Sequence, residues 1–298
     1  IMFLTYTWLG KQALHPKSVF VCLQLLLVMQ LTVTKFWCLA VMCCSQAYVA
    51  MDRMGAFVEA EEVPNPPTLL ADDGIAVELS SMDAYWDDDG QSKAGVVTPV
   101  LKNVSLQVRR GELLMVVGPV GSGKSSFLMA LLGELRVRQS SIRFGADQSV
   151  AYSAQDPHIV SGTIEENILF GHPKDKKRFE KVVTACALET DFMSLDNGHL
   201  TLVGEKGVTL SGGQKSRIAL ARAAYAQADL VLLDDPLSSL DPKVSQKIVN
   251  DLVCAPSSAG GLRPATVILV THQIQFLDRA DRVLVLDVDG KRCCYRKL

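Results

Sequence analysis

The stretch GPVGSGKSS, Gly118 to Ser126, follows the apolar run ELLMVV and opens the helix-like sequence KSSFLMALLGEL. It fits the pattern GxxxxGK[ST], in which glycines let backbone N–H groups wrap around phosphates. A strand before the loop and a helix after it are the context that this pattern requires, because a helix start adds unpaired N–H groups and a favourable dipole. The sequence therefore predicts a phosphate-binding loop, although the pattern alone does not say what the phosphate is used for.

Two side chains of this loop suit a nucleotide with its magnesium ion. Lys124 is expected to reach the outer phosphates, and the Ser125 hydroxyl is expected to ligate Mg²⁺. The run ADLVLLDD, residues 228–235, predicts a buried parallel strand that ends in two carboxylates. That arrangement places Asp234 on the Mg²⁺ and Asp235 beside an attacking water. The loop residues expected to bind ATP are Gly118, Pro119, Val120, Gly121, Ser122, Gly123, Lys124, Ser125 and Ser126.

A second helix start suited to phosphate is predicted in LSGGQKSRIALARA, residues 210–223. Ser211, Gly212 and Gly213 lie where free N–H groups and the helix dipole favour a phosphate, and an amphipathic helix follows them. A second such terminus needs a second nucleotide. We therefore expect a head-to-tail pair of domains, with ATP held between the loop of one domain and the SGG segment of the other.

Composition limits the class of protein. The chain has 298 residues, 48% of them hydrophobic, and a formal net charge of −2, so no global basic field indicates nucleic acid as a partner. The eight cysteines include no CxxC pair. We interpret them as reduced thiols of a protein that faces the cytosol, and not as disulfides or a zinc site.

A long apolar segment precedes the loop. No glycine or proline occurs between Lys17 and Gly55, and Lys35 is the only charged residue from Val19 to Met51. A membrane span needs about 20 apolar residues, so this segment predicts a transmembrane helix, with a signal peptide and a buried soluble helix as the alternatives. Lys35 would then face other helices, line a water-filled path or snorkel to an interface.

The composition changes after this helix. Residues 61–74, EEVPNPPTLLADDG, are acidic and proline-rich, which is typical of a linker. Beyond them, β-like runs alternate with helical stretches, which predicts an α/β domain with a largely parallel sheet and an antiparallel piece at its start. The runs are IAVELSS, VLKNVSLQV, ELLMVV, LVLLDD, TVILVT and RVLVLDV.

In their order along the chain, these motifs resemble the ATP-binding-cassette (ABC) family from about Ile75 to Val288. LSGGQ, which ends at Gln214, resembles the family signature that contacts the partner's ATP. The resemblance implies a P-loop NTPase fold of ABC type. That fold has a mostly parallel sheet core, an antiparallel β subdomain and an α-helical signature subdomain, here preceded by a long transmembrane helix.

Four further residues take their expected roles from this resemblance. Gln155 in YSAQDP resembles the Q-loop, which contacts Mg²⁺ and the membrane domain. SSLD, ending at Asp241, looks like the D-loop, and His272 in LVTHQ looks like the switch histidine that senses the γ-phosphate. Trp86 in AYW is placed like the aromatic that stacks on adenine, a role that a flat ring can fill. The expected catalytic residues are Asp235, His272 and Gln155, and the expected Mg²⁺ ligands are Ser125, Gln155 and Asp234.

A narrower resemblance is to the first nucleotide-binding domain of subfamily C transporters, the multidrug-resistance-associated proteins. It is carried by SGTIEENILFG (161–171), PLSSLDPKV, the acid at 235 and the upstream segments TWLGKQALHPKSVFV and QAYVAMDRMGAFVEAEEV. It implies the end of a membrane helix with an extracellular turn in 1–18, a transmembrane helix extending to the cytoplasm in 19–60, a linker in 61–74 and the nucleotide-binding domain in 75–298. We expect a piece of a longer polypeptide.

The implied function is that of an ATPase cassette of a membrane exporter, on the cytoplasmic side of a membrane. Its expected partners are a second nucleotide-binding domain, the coupling helices of a membrane domain and the lipid bilayer. Most hydrolysing cassettes place Glu where this chain has Asp235, so we predict the weakly hydrolysing site of an asymmetric pair; the alternative is that backbone adjustment lets Asp235 act as a normal base.

Other functions remain as alternatives. One is a regulatory nucleotide sensor, such as the channel-associated members of subfamily C, which Asp235 leaves open. Another is a soluble ABC ATPase of DNA repair or translation, which the apolar helix disfavours. A kinase or GTPase is disfavoured because neither needs LSGGQ.

One surface is also predicted from the resemblance. Residues 161–171, together with Gln155, are expected to face the membrane domain and transmit the nucleotide state to it. The apolar side chains of Ile164, Ile168 and Leu169 are expected to pack on a coupling helix.

Overall fold

The computed structural model describes residues 16–59, 68–70, 74–86, 99–138, 141–146, 148–204, 209–287 and 294–296. The chain forms two compact units, which divide between Val63 and Pro64. Nearly all of the predicted turn segment 1–18 and linker segment 61–74 lies outside the described residues. The predicted domain boundaries therefore stay predictions.

The first unit is helical from Pro16 to Val58. Helix α1 (Pro16–Leu31) continues through a π-helical segment (Thr32–Trp37) into helix α2 (Cys38–Val58). The 40 residues from Val19 to Val58 are long and apolar enough to cross a membrane. Lys35 lies within the π-helical segment. The apolar run thus forms the long helix that its composition predicts, with a local widening that the apolar pattern does not indicate.

The second unit contains two main sheets, of which the first is mostly antiparallel. Its strands are β1 (Thr68–Leu70), β2 (Ile75–Tyr85), β3 (Leu101–Arg109), β5 (Arg136–Arg138) and β6 (Ser141–Gly145). They lie in the order β1-β6-β2-β3, and β5 also pairs with β2. The β1–β6 pair is parallel and the other pairs are antiparallel. This sheet is the antiparallel piece predicted at the start of the domain.

The second sheet is parallel except at one edge. In spatial order its strands are β13 (Cys294–Arg296), β12 (Arg282–Val285), β4 (Leu113–Val117), β11 (Thr266–Val270), β10 (Leu230–Asp234) and β7 (Val150–Ser153). Only the β12–β13 pair is antiparallel among the pairs within this sheet's described residues. Every residue of β4, β10 and β11 is buried, as expected for parallel strands covered on both faces.

Helices and short turns cover this sheet. A two-stranded piece joins β8 (Gly162–Thr163) to β9 (Leu202–Val203). The helices are α3 (Lys124–Leu131), α4 (Ile164–Leu169), α5 (Lys176–Ala185), α6 (Glu189–Ser194), α7 (Gly212–Ala226) and α8 (Pro242–Ile248). Shorter 3₁₀ and π turns occupy Gly198–Leu200, Val249–Val253, Ser257–Ala259 and Ile274–Arg279.

Alternate residues of the central strands divide the interior into two cores. Leu113 and Met115 of β4 pack with the helices of the 164–254 region, whereas Leu114 and Val116 pack with α3 and the antiparallel sheet. This follows from the period of two in a strand, which sends successive side chains to opposite faces. The parallel core, the antiparallel β piece and the helical region confirm the predicted ABC-type P-loop fold.

Candidate nucleotide-binding site

The candidate site lies at the carboxyl edge of the parallel sheet, where three neighbouring strands end together. The glycine-rich loop begins at Gly118, directly after β4, and Asp234 is the last residue of β10. Thr271 and His272 directly follow β11, which lies between those two strands. Because the three strands are parallel, the side chains that follow them meet at one edge.

Glycine is required in this loop for two physical reasons. Gly121 has φ +83° and Gly123 has φ +88°, both in the left-handed region that side chains rarely adopt. Gly118 is needed for space instead, because a Cβ there would lie 2.3 Å from the carbonyl oxygen of Leu286. Gly123 caps α3 and has no side chain with which to bond the first-turn N–H groups. The loop therefore presents backbone N–H groups at a helix start.

Lys124 is buried at the centre of the loop. Its side chain folds back so that Nζ donates to the carbonyl oxygens of Gly118 (3.0 Å) and Pro119 (2.7 Å). Burial lowers the pKa of Lys124, and the nearby carboxylates of Asp235 and Asp234 oppose that shift. An ammonium group has three protons, so the two carbonyl bonds leave one donor for an incoming anion.

Ser125 and Asp234 face each other across the site. The Ser125 hydroxyl donates to Asp234 Oδ1 at 3.0 Å. Burial raises the pKa of Asp234, while the Ser125 hydrogen bond acts in the opposite direction. Among the described residues, no group of three or more His, Cys, Asp or Glu side chains could hold a metal ion by itself. One carboxylate and one hydroxyl fit Mg²⁺, which takes few protein oxygens and completes its shell with water and phosphate.

Asp235 lies in a constrained and buried position beside this pair. Its backbone has φ +42°, and its side chain is only 4% exposed. The carboxylate accepts the backbone N–H of His272, and its Oδ1 has no hydrogen-bond partner among the described residues. Burial raises the pKa of Asp235, an effect that His272 and Lys124 oppose. An unpaired buried carboxylate oxygen can accept a hydrogen bond from a water molecule.

Three more predicted residues lie just after the ends of strands. His272 is exposed just after β11, and Gln155 is exposed two residues after β7. Trp86 directly follows β2 and is 54% exposed. Sequence reasoning did not identify Tyr152 on β7, whose pKa is raised to about 12, first by burial and then by the charge of Asp234. Tyr152 lies three residues before Gln155, close to the end of a strand that leads to the predicted nucleotide site. This position is the signal by which the sequence could have indicated it.

The predicted signature residues form a separate helix start. Helix α7 begins at Gly212, and Ser211 is its N-cap. The Gln214 backbone N–H donates to Ser211 Oγ at 3.2 Å, and the Ser211 backbone N–H donates to Gln214 Oε1 at 2.9 Å. This reciprocal capping box was readable as S-x-x-Q but was not predicted. Gln214 Nε2 also donates to Asp191 Oδ1 at 3.1 Å, a carboxylate that Arg217 binds at 2.7 Å.

The predicted D-loop packs against this helix start. A Cβ on Gly213 would lie 3.1 Å from the carbonyl oxygen of Ser239, and the hydroxyls of Ser216 and Ser239 are 2.9 Å apart. Asp241 is exposed and is the N-cap of α8. The contacts of the signature segment thus run to the segment around Ser239 and to Asp191. They do not bring it to the glycine-rich loop of its own domain.

The stretch 161–171 forms a short capped helix, and its apolar residues are not where we predicted them. Ile164 and Ile168 are 1% and 0% exposed and lie in the core of the domain itself, so the prediction that they pack on a coupling helix is wrong. Leu169, the third predicted residue, is half-buried and packs against the same core. A six-residue helix held against α7 buries both isoleucines, which the local sequence does not reveal. Phe170, 56% exposed, is the apolar side chain that this stretch presents.

A buried polar network, which sequence reasoning missed, fixes this stretch to α7. Asn167 is 2% exposed, and its amide bonds the backbone of Val160 and Thr163. The Arg222 guanidinium donates to the Asn167 carbonyl oxygen at 2.8 Å and stacks 4.4 Å from the Phe170 ring centroid. The available signal was the presence of Asn167 and Arg222 within apolar helical sequence. Buried polar groups require hydrogen-bond partners, so the two residues could have been expected to pair.

Comparison with known proteins agrees with this geometry. Residues 101–238 match the family model described as ABC transporter. The chain is 42% identical to human ATP-binding cassette sub-family C member 4, over 98% of this chain and 21% of the relative. It is 40% identical to ATP-binding cassette transporter abc2 of Schizosaccharomyces pombe, over 93% of this chain and 18% of the relative. It is 38% identical to the probable multidrug resistance-associated protein lethal(2)03659 of Drosophila melanogaster, over 81% of this chain and 18% of the relative.

The similarity to these relatives extends over most of this chain but over a small part of each of them. The chain spans about a fifth of the length of the curated relatives that it matches. The family match covers the glycine-rich loop, the signature segment, Asp234 at the end of β10 and the adjacent Asp235. Together, the motifs, the fold and the similarity show that the chain contains a nucleotide-binding domain of the ABC transporter family, of the subfamily C type.

Proposed function

We propose that this domain binds MgATP at the carboxyl edge of its parallel sheet and hydrolyses it as part of a membrane exporter. The observation that carries the proposal is the convergence of Lys124, Ser125 and Asp234, with the Ser125 hydroxyl 3.0 Å from the Asp234 carboxylate. ABC transporter domains bind ATP with Mg²⁺ in general, and this edge has the donor types that both groups require.

Each residue of the edge has a defined task in this proposal. The loop amides and Lys124 hold the phosphates, and the third Nζ proton of Lys124 is the donor for a phosphate oxygen. Ser125 and Asp234 hold Mg²⁺, the ion that neutralises charge on the outer phosphates, together with the exposed Gln155. Asp235 orients the attacking water, and His272 senses the γ-phosphate. The exposed ring of Trp86 stacks on the adenine.

The signature segment serves a second nucleotide in this proposal. Gly212 and Gly213 lie against Ser239 of their own D-loop, and Ser211 bonds Gln214 of its own helix. The partner is a second nucleotide-binding domain in head-to-tail orientation, whose loop carries the ATP that this segment contacts. Asp241 of the D-loop lies exposed near that segment and borders the same interface.

We infer that the site containing Asp235 hydrolyses weakly. An aspartate is one methylene shorter than the glutamate of most hydrolysing cassettes, and its carboxylate is drawn back by about 1 Å. The burial of Asp235 and its left-handed backbone leave little freedom for the side chain to advance. Asp235 is also the observation that favours a second candidate, a regulatory cassette in which binding matters more than turnover. The apolar helix Val19–Val58 favours a membrane protein over a soluble ABC ATPase.

We also propose that the cassette lies on the cytoplasmic side of its membrane and contacts the coupling helices of a membrane domain. After the correction above, the contact surface consists of Gln155 and Phe170, not of Ile164 and Ile168. The buried Asn167 and Arg222 hold Phe170 to the signature helix, so that a movement of α7 would be transmitted to this surface.

The experiment that tests ATP binding is photolabelling of the full chain with an ATP photoprobe and Mg²⁺. Lys124→Ala should reduce labelling to background, because the outer phosphates lose a point charge in a buried site. Lys176→Ala is the matched control, since Lys176 is an exposed lysine at the start of α5, outside the loop. Undiminished labelling of Lys124→Ala would contradict the assignment of this loop.

A further inference from the structure

The opposite edge of the parallel sheet carries two adjoining cavities that the proposed function does not use. The larger is an open groove of about 880 Å³, and the smaller has a volume of about 260 Å³. Arg110 and Gly111 line both cavities. Glu112 of the groove immediately precedes β4, whose five residues separate this edge from the glycine-rich loop by about 17 Å.

The groove is rich in guanidinium groups. Among the described residues that line it are four arginines and two carboxylates: Arg109, Arg110, Arg263 and Arg282, with Glu112 and Asp281. The carboxylates are already engaged. Arg282 Nε lies 3.0 Å from Glu112 Oε1, and Arg263 Nη2 lies 2.8 Å from Asp281 Oδ2. The guanidinium groups, including that of the exposed Arg109, make the groove suited to an anion, and the planar guanidinium matches phosphate in particular.

Like charges lie close enough in this groove to affect one another. The pKa of Arg282 is lowered, first by burial, and the positive charge of Arg109 contributes to the lowering against the opposing pull of Glu112. Arg109 is exposed at the end of β3. An anion placed between these two groups would relieve their repulsion, which is the physical advantage of binding there.

The smaller cavity has a different character. Alanine, valine, leucine and proline side chains form much of its wall, and polar groups interrupt it at Gln148, Gln227, Asp229 and Thr266. Both amide atoms of Gln148, Nε2 and Oε1, are buried with no hydrogen-bond partner in the described part of the chain. An amide that is buried without partners costs free energy, so such a group in a cavity wall indicates a missing partner.

We propose that these two cavities form a second ligand site, for a phosphorylated molecule with a flat head that carries an amino group, the chemistry of a nucleoside phosphate. The phosphates lie in the arginine groove, and the head enters the smaller cavity past Arg110 and Gly111. Gln148 offers one donor and one acceptor to the edge of the head, and the Asp229 carboxylate accepts from its amino group. This site is independent of the proposed ATP site, which lies at the other edge.

The test is calorimetric titration of the full chain in detergent, with ADP and with inorganic pyrophosphate, in the presence of a metal chelator. All variants carry Lys124→Ala, so that the loop site contributes as little as possible. ADP should bind more tightly than pyrophosphate, because only ADP has a head for the smaller cavity. Arg109→Glu should weaken both ligands by about tenfold or more, because it reverses a charge at the phosphates.

Two further variants make the test decisive. Gln148→Ala should weaken ADP by about tenfold and leave pyrophosphate unchanged, with a thermal midpoint that is not lowered, because it removes an unsatisfied buried amide. Lys176→Glu makes the same charge change as Arg109→Glu outside both cavities and should leave both affinities unchanged. The proposal is overturned if ADP does not bind, if Arg109→Glu and Lys176→Glu behave alike, or if Gln148→Ala affects neither ligand. Because residual binding at the loop would not respond to Arg109 or Gln148, failure of this site is distinguishable from failure of the ATP site.

Discussion

Helices α3 and α7 both begin within a glycine-rich segment, but their first turns are closed in different ways. At α3 the N-cap is Gly123, which offers no side-chain oxygen, and Lys124 folds back onto the loop carbonyls. At α7 the N-cap is Ser211, and its reciprocal bonds with Gln214 complete a capping box. One helix start leaves its donors open, and the other closes part of them with its own side chains.

The difference indicates what each terminus can do alone. The open N–H groups of α3 need an anion to satisfy them, and Lys124 supplies charge at the same place. Ser211 Oγ accepts from the Gln214 backbone N–H, yet its own hydroxyl proton can still be donated. The signature helix is therefore capped without a ligand, and in our proposal it adds a phosphate contact when another domain supplies the nucleotide. This agrees with a loop that binds nucleotide and a signature that completes a neighbouring site.

The largest expected effect concerns hydrolysis in a reconstituted full transporter. Asp235→Glu should raise the rate at the site of this domain's loop by up to about 10²-fold, because it returns the carboxylate by about 1 Å. Substitution of Ser211 or Gly212 should instead lower turnover at the other site and so remove most of the total rate. Site-resolved trapping of hydrolysed nucleotide separates the two.

The matched variant for this prediction is Asp235→Asn. If Asp235→Glu leaves the site-resolved rate unchanged while Asp235→Asn abolishes it, then Asp235 acts as a normal base. In that case the prediction of one weakly hydrolysing and one hydrolysing site is wrong, and backbone adjustment has compensated for the shorter side chain.

The next largest expected effect is a difference in stability between alanine substitutions of glycines in the two glycine-rich segments. Gly118→Ala should destabilise the domain by about 3 kcal/mol or more, because its Cβ would lie 2.3 Å from a backbone carbonyl that cannot move aside. Gly213→Ala should cost about 1 kcal/mol, since its nearest neighbours, the Ser239 carbonyl oxygen and a Leu240 methyl, lie at 3.1 and 3.3 Å. Chemical denaturation of both variants measures the order, and equal losses would show that the D-loop side is as rigid as the loop side.

The sequence predicted those parts of the molecule whose signal is local and strong. The apolar runs at β4, β10 and β11 are fully buried parallel strands, and such runs need cover on both faces. The loop and the acids at the end of β10 meet because parallel strands carry their carboxyl ends to one edge. The pairing of Ser125 with Asp234 follows from this topology, although the two residues are far apart in sequence.

The parts that the sequence did not predict depend on contacts between distant segments. Strands β5 and β6 are three and five residues long and rich in polar side chains, so they form only because β2 offers them edges to pair with. Ile164 and Ile168 were predicted to face a coupling helix. The sequence of a six-residue helix does not indicate which neighbouring segment covers its apolar side chains. Asn167 and Arg222 form their network although they lie 55 residues apart, and no local pattern joins them.

A smaller effect is expected at the capped helix start. Ser211→Ala should lower the free energy of unfolding by about 1 kcal/mol, because the Gln214 backbone N–H loses its acceptor at the N-cap. Photolabelling of this domain's own loop should stay unchanged. Ser211→Asn, which keeps an acceptor oxygen, should recover most of the stability. A loss of loop labelling in Ser211→Ala would mean that the two helix starts are not independent.

The last prediction concerns Asp235, the buried carboxylate that directly follows β10. Burial raises the pKa of Asp235 in the folded domain, so the folded state binds a proton more tightly than the unfolded state. Its contribution to stability is therefore lost as the pH rises from about 4, the unfolded value, through the folded pKa, and stays lost above it. Asp235→Asn should accordingly raise the thermal midpoint of the nucleotide-free protein at pH 7, and the gain should shrink as the pH falls towards about 4.

Asparagine tolerates the left-handed backbone at this position and keeps an acceptor for the His272 N–H, so the substitution tests charge and not shape. Asp241→Asn is the control, because it makes the same change of charge at an exposed position. A midpoint that Asp235→Asn lowers at pH 7 would mean that the carboxylate stabilises the empty site, and that its charge is satisfied by partners even before nucleotide arrives.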